Sequence, residues 1–392
     1  MTFMDMNKQP SCSTFFSAVI VAVTMLASAT VAAESTRESM RLVYAALSEL
    51  LPAAFNESSF ESESSTERLA SALEVLENSA EALVEHVGES PTEVSAEFMG
   101  LARSFENNVA LLRQSFDYHR YNEFNYLLLD LTHNCVSCHS RLPADSGPPF
   151  ATDLVEQVDD EFYTDVDRAQ LLFAIRRFDE ALSTLESIIR DLDIEPIELE
   201  LDGVLFDYLA NGITVTRDVE RIQKTLADLK ERNDLPYYMS RYAGLWSEHL
   251  DALQADLIEV PNLSKARDLF RQSLNLSPIP SSQVRMVYDL VVSAMLRRLL
   301  EQQTLQGVDL AEVYWMLGVI SIRTVNPRPG VPHTELLLES AIRAAPGSEY
   351  ARLAYALLEE YNRVSFAGIP TAELPEPVLN LHELAKLAGV SK

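Results

Sequence analysis

From residue 66 to residue 87 the chain carries neither glycine nor proline, and its apolar residues fall at Leu69, Leu73, Leu76, Ala80, Leu83 and Val87. Steps of three and four put all of them on one face of an α-helix, and such a stripe is stable in water only when it is buried against another. Three more stretches before residue 143 have the same grammar. One carries Met40, Val43, Tyr44, Leu47 and Leu51, and another carries Val94, Phe98, Leu101, Phe105, Val109, Leu112 and Phe116. The last spans residues 121–142. Thr66 is the expected N-cap of the second stretch. The connections are the serine-rich NESSFESESS, then GES and the YHR region. Short connections make successive helices antiparallel neighbours, so residues 34–142 are expected to form an up-down-up-down four-helix bundle. With only 12 glycines in 392 residues, the expected fold class is all-α throughout.

RLPADSGPPFATDL, with three prolines and a glycine, interrupts this pattern, and residues 143–156 are expected to be a linker. Residues 157–392 return to helical periodicity in another arrangement. Ala266, Phe270, Ser273 and Pro278 fit the tetratricopeptide pattern of small residues at a helix crossing and a proline at the repeat's end. Ala181, Leu185 and Ile188 fit part of it, as do Tyr314, Leu317 and Gly318 with Leu338, Ala341 and Pro346. Residues 196–262 fit poorly. The expectation is a divergent tetratricopeptide-like (TPR-like) array, with a generic array of helical hairpins as the alternative. In either case stacked hairpins leave an extended surface suited to a protein partner.

The formal charge is −28. Phosphate contacts need Lys/Arg patches, which this sequence lacks, so nucleic acid is not an expected partner. The acidity fits a solvated surface, or attraction toward a basic partner. The N-terminus has Lys8, an apolar run from Phe15 to Leu26, and Val31-Ala32-Ala33. This is the grammar of a cleavable export signal over residues 1–33, and the run is shorter than the roughly 20 residues of a spanning helix. The mature chain is therefore expected in the periplasm and not in the membrane. Cleavage also removes Cys12, leaving Cys135 and Cys138.

These two cysteines lie in CVSCH, residues 135–139. C-x-x-C-H is the attachment sequence of c-type haem: two thioether bonds to the cysteines and the histidine as axial iron ligand. A thioredoxin-like redox pair would need a strand-to-helix setting, whereas this motif follows a helix. A zinc site of His133, Cys135, Cys138 and His139 would crowd four ligands onto one helix, which cannot readily surround a tetrahedral ion. A plain disulfide or a chance match is the remaining alternative. Phe124, Leu128, Leu131, Cys135, Cys138 and Leu142 step by four and three, so both thiols continue the apolar stripe of the fourth helix. Cys135 and Cys138 are thus the expected attachment points of one covalent haem c, with His139 the proximal iron ligand.

A bundle of four helices with CVSCH near the end of the last resembles the cytochrome c-prime superfamily, the class II cytochromes c. The opening STRESMRLVYAAL is similar to that family's first helix. The resemblance covers residues 34–142. It implies that the first helix supplies the residue on the distal side of the iron, which makes Met40 the candidate sixth ligand. The family's basic residue four positions after the histidine has its nearest counterpart in Arg141, two after, the candidate haem-propionate contact. Met99 and His86 are weaker candidates for the distal ligand, and His133 and His119 are expected on the surface. Arg120, Tyr121, Tyr126, His249, His333 and His382 carry no assignment.

Together these readings predict an exported monohaem c-type cytochrome that transfers electrons while its repeats dock a redox or scaffold protein; a homodimer is a further candidate assembly. Gas binding or sensing at a five-coordinate iron, or a scaffold whose repeats carry the main function, are the alternatives. The sequence shows no paired carboxylates, nucleophile elbow, phosphate loop or second haem motif, and no enzymatic activity is expected.

Overall fold

The apolar stripes are buried. In helix α1, residues 36–53, Val43, Leu47, Leu50 and Leu51 face inward. Helix α2, Glu63–Gly88, buries Leu69, Leu73, Leu76, Ala80 and Leu83. Helix α3, Ser95–Asp117, buries Leu101, Phe105, Val109, Leu112 and Phe116. Helix α4, Tyr121–His139, buries Phe124, Leu128 and Leu131. The structure, a computed structural model, describes residues 36–53, 60, 62–88, 95–140, 164–199, 203–277, 283–324, 333–365 and 381–390. Among these it is all-helical, with fifteen α-helices and no strand. Residues 1–33 and 143–156, read above as signal and linker, lie outside the described residues, as does Arg141.

Two boundaries differ from expectation. Helix α2 begins one turn before Thr66, because the Ser62 hydroxyl accepts the Ser65 N–H at 3.2 Å, and Glu63 sits favourably in the first turn. Thr66 lies inside the helix and donates its hydroxyl to the Ser62 carbonyl at 3.0 Å. Helix α4 closes at His139, with Ser140 in a turn, rather than running on to Leu142.

Eleven helices follow: α5 Asp165–Ala174, α6 Phe178–Arg190, α7 Val204–Asn211, α8 Val219–Glu231, α9 Tyr237–Ile258, α10 Leu263–Leu276, α11 Met286–Glu301, α12 Gly307–Thr324, α13 His333–Ala344, α14 Glu349–Ser365 and α15 Leu381–Ala388. Neighbours in sequence pair in space: α5 with α6, α8 with α9, α10 with α11, α12 with α13 and α13 with α14. The small residues sit at the contacts. Ala181, Ala266, Ser273 and Ala341 are fully buried. Gly318 lets α13 approach so closely that a Cβ there would stand 2.6 Å from Leu338 Cδ2. Residues 196–262, where the repeat pattern fails, contain a π-helical turn, Gly212–Thr216. It closes at Arg217, whose N–H reaches back to the Gly212 carbonyl at 2.7 Å.

The first four helices and the later ones share one apolar core. Helix α4 packs on α5, and α3 packs on α13. At the second contact Gly100 leaves room for Leu336, whose Cδ1 would lie 1.8 Å from a Cβ at that position.

A buried cation ties together the start of the array. The Arg232 guanidinium donates to the carbonyls of Ile189, Asp191 and Ile194 at 3.0, 2.7 and 2.7 Å and pairs with Asp234 at 2.7 Å. Removing it would strand three carbonyls that the loop after α6 cannot otherwise satisfy. Arg232→Met is expected to lower stability by roughly 3 kcal/mol, read as a lowered urea midpoint by circular dichroism; an unchanged midpoint would show that the loop finds other donors.

Candidate functional site

The stripe of α4 changes character along its length. Phe124, Leu128 and Leu131 fill the core, whereas Cys135, Cys138 and His139 one to two turns further on line a cavity. The cavity and the open mouth through which it meets solvent together span about 1020 Å³. Helix α1 contributes Met40, Val43, Tyr44 and Leu47; α2 contributes Leu83 and Val87; α3 contributes Phe98, Ala102 and Phe105. The remaining wall comes from beyond the prolines: Leu171 and Ala174 of α5, and Ile175 just after it.

His139 is buried, and its Nδ1 meets the Ala174 carbonyl. A carbonyl can only accept, so Nδ1 carries the proton. Burial lowers the imidazole pKa to about 4; the bond to Ala174 opposes this, and the charge of Arg176 adds to it. The ring is therefore neutral at physiological pH, with its lone pair on Nε2. A backbone carbonyl on one ring nitrogen is the usual device for fixing a histidine that ligates a metal through the other.

Cys135 and Cys138 are not joined in a disulfide. Three residues apart on one helical face, they open onto the same cavity. The Cys135 thiol points back to the Leu131 carbonyl at 3.8 Å, and burial pushes its pKa up to about 12. Between them and the core, Asn134 is buried; its Nδ2 donates to Ser104 Oγ at 3.2 Å, and its Oδ1 accepts from Asn108 Nδ2 at 2.9 Å. This satisfied polar bridge fixes the register of α4 on α3 beside the cavity.

The donor set and the cavity fit a covalently attached haem. Such a group needs two thiols on one face, an imidazole with a lone pair, and an apolar space for the macrocycle. Met40, half-buried on the α1 wall, offers a thioether in the same cavity. Among the described residues no three His, Cys, Asp or Glu side chains converge to hold a metal ion.

Among the described side chains, the other histidines and Met99 stand apart from the cavity lining. Met99 lies beside Gly88 at the α2–α3 connection. The His86 Nδ1 is 3.4 Å from Ser39 Oγ, near the start of α1. His133 is half-buried rather than on the surface as expected: Asp130, one turn earlier on the same face, holds its Nδ1 at 3.2 Å, and its Nε2 is buried without a hydrogen-bond partner among the described residues. His119 occupies the exposed α3–α4 turn at φ 56° and bonds the Tyr121 hydroxyl at 2.9 Å. Tyr121 stacks on Phe60, Arg120 pairs with Glu123, and Tyr126 is exposed. His249 meets the edge or face of Tyr288 at 5.0 Å, and His382 is exposed on α15.

Sequence periodicity did not find Leu171, Ala174 and Ile175, because the contact bridges a proline-rich segment whose path no local pattern encodes. Tyr44 and Asn134 read as ordinary helix residues, because periodicity along one helix does not report what a side chain meets on another. Among the described residues no helix is long and apolar enough to cross a membrane.

A half-buried thiol whose surroundings raise its pKa is a poor nucleophile. In the folded chain lacking any attached group, Cys135 is expected to react with iodoacetamide at least about tenfold more slowly than in urea, as followed by peptide mass spectrometry; equal rates would show that the cavity wall does not shield it. No family model matches the chain, and no curated protein or solved structure matches it either.

Proposed function

We propose that the chain is an exported monohaem c-type cytochrome of the cytochrome c-prime kind, in which α1 to α4 form the haem-bearing four-helix bundle and the later TPR-like hairpins dock a redox protein partner. The observation that carries this reading is the convergence of Cys135, Cys138, His139 and Met40 on one apolar cavity. When bound, the haem supplies one-electron chemistry at its iron.

The residues divide that work. Cys135 and Cys138 would hold the group on the inner face of α4 through two thioether bonds. His139 offers Nε2 to the iron, because its Nδ1–H is committed to Ala174. Met40 is the candidate sixth ligand from the α1 wall, and Arg141 the candidate propionate contact. Val43, Leu83, Ala102, Phe105 and Leu171 exclude water, which limits solvent reorganisation when the charge on the site changes. The acidic surface, with a formal charge of −28, favours a basic partner whose association weakens with salt.

A methionine-ligated iron has no vacant position for a diatomic gas. Reduced full-length protein is accordingly expected to take up carbon monoxide slowly and incompletely, and Met40→Ala to bind it rapidly and stoichiometrically, as seen in the visible difference spectrum. Rapid, complete binding by the unsubstituted protein would remove Met40 as a ligand and turn the reading toward gas binding. The double substitution Cys135→Ser, Cys138→Ser is expected to leave the exported chain without covalent haem.

A further inference from the structure

Two neighbouring connections of the array carry apolar side chains that the core does not use. In the segment after α6, Ile194 packs against the core and Leu199 is fully buried, whereas Leu192 and Ile197 are 69 % and 66 % exposed. At the start of α9, Met239 is buried while Tyr237 and Tyr238 are 84 % and 44 % exposed. Tyr237 is the most exposed large apolar side chain among the described residues.

Arg232 brings the two connections together. Its guanidinium donates to the carbonyls of Ile189, Asp191 and Ile194 in one and pairs with the Asp234 carboxylate in the other. Leu192 therefore lies within the loop drawn onto this cation, and Tyr237 three residues beyond its carboxylate partner. A loop held in this way presents its outer residues already ordered, which lowers the entropic cost of docking on them.

Carboxylates surround these side chains. Asp191, Asp193, Glu195, Glu198, Glu231 and Asp234 are all exposed. They make up six of the seventeen residues in 191–199 and 231–238, against 59 acidic residues in the whole 392-residue chain, so the acidity is concentrated here. The Arg232 charge is buried and committed to Asp234 and the carbonyls. Arg190 pairs with Glu186 and Asp228, and Lys230 at the end of α8 is exposed. Aromatic and aliphatic side chains inside a charged rim have the make-up of a protein-binding patch. Two copies of this chain meeting through that face would set carboxylates against carboxylates, and an anionic membrane would repel it too.

We propose that the face formed by the α6–α7 and α8–α9 connections is a docking surface for a basic protein partner, which packs apolar side chains on Leu192, Ile197, Tyr237 and Tyr238 while its lysines and arginines meet the surrounding carboxylates. This deepens the docking half of the proposed function and rests on it, and it does not depend on haem attachment.

The test is fluorescence anisotropy of the full-length protein with a labelled nonapeptide of alternating lysine and leucine, and with its lysine–serine counterpart, at about 0.15 M salt. The leucine peptide is expected to bind at least about tenfold more tightly than the serine peptide. The double variant Leu192→Ser, Tyr237→Ser, with its fold checked by circular dichroism, is expected to lose that difference. Glu195→Gln with Glu198→Gln is expected to weaken both peptides and flatten the salt dependence. Ile258→Ser with Val260→Ser, at the other end of α9, is expected to bind as the unsubstituted protein does. Unchanged affinity in the Leu192, Tyr237 variant, or a loss confined to the Ile258, Val260 variant, overturns this placement and leaves the docking reading in force. If the unsubstituted protein binds neither peptide, docking of a basic partner is itself overturned. A dimer in sedimentation velocity that the Leu192, Tyr237 variant abolishes would assign the face to a second copy and overturn the proposal.

Discussion

Helix α4 has to satisfy two environments with one apolar stripe. Over its first turns Phe124, Leu128 and Leu131 are fully buried among the other helices. Over its last turns the same face presents Cys135, Cys138 and His139 to a cavity. The helix cannot rotate to shield the thiols without exposing the aromatic and leucine side chains on the same stripe, at about 1.5–3 kcal/mol for each large apolar side chain brought into water. The packing of the core therefore dictates where the sulfurs and the imidazole point, and the Asn134 bridge to α3 holds the register that makes this so.

The cavity is closed by chain from the other side of the proline-rich segment. Leu171 and Ala174 of α5, with Ile175, supply its wall, and Ala174 supplies the carbonyl that fixes the His139 tautomer. Contact between α3 and α13 at Gly100 joins the early helices to the far end of the array as well. In the proposed cytochrome, a docking surface on the later hairpins and a haem site on the first helices are thus mechanically continuous, and the partner and the iron become mutually responsive.

Much of this was legible in the chain. The spacing of apolar residues fixed the faces of α1 to α4 and directed both cysteines inward, because a helical period is a local property. It also put Met40 on the face that lines the cavity and turned His133 away from it. Local pattern did not reveal tertiary choices. Ser62 displaced Thr66 as the cap of α2 because its hydroxyl meets an earlier N–H. His133 is half-buried because Asp130 shares its face. The α5 wall depends on how two distant segments meet, and no spacing rule encodes that. The tetratricopeptide pattern weakened over residues 196–262, where the π-helical turn at Gly212–Thr216 breaks the hairpin spacing.

The proposed function depends first on Cys135 and Cys138 carrying one covalent haem. The most direct measurement is the intact mass of the full-length exported protein together with its pyridine haemochrome spectrum. The expected result is one haem per chain, retained under denaturing conditions, with the spectrum of a group joined through two thioethers. A mature chain with the mass of the bare polypeptide and no haemochrome absorption would contradict it.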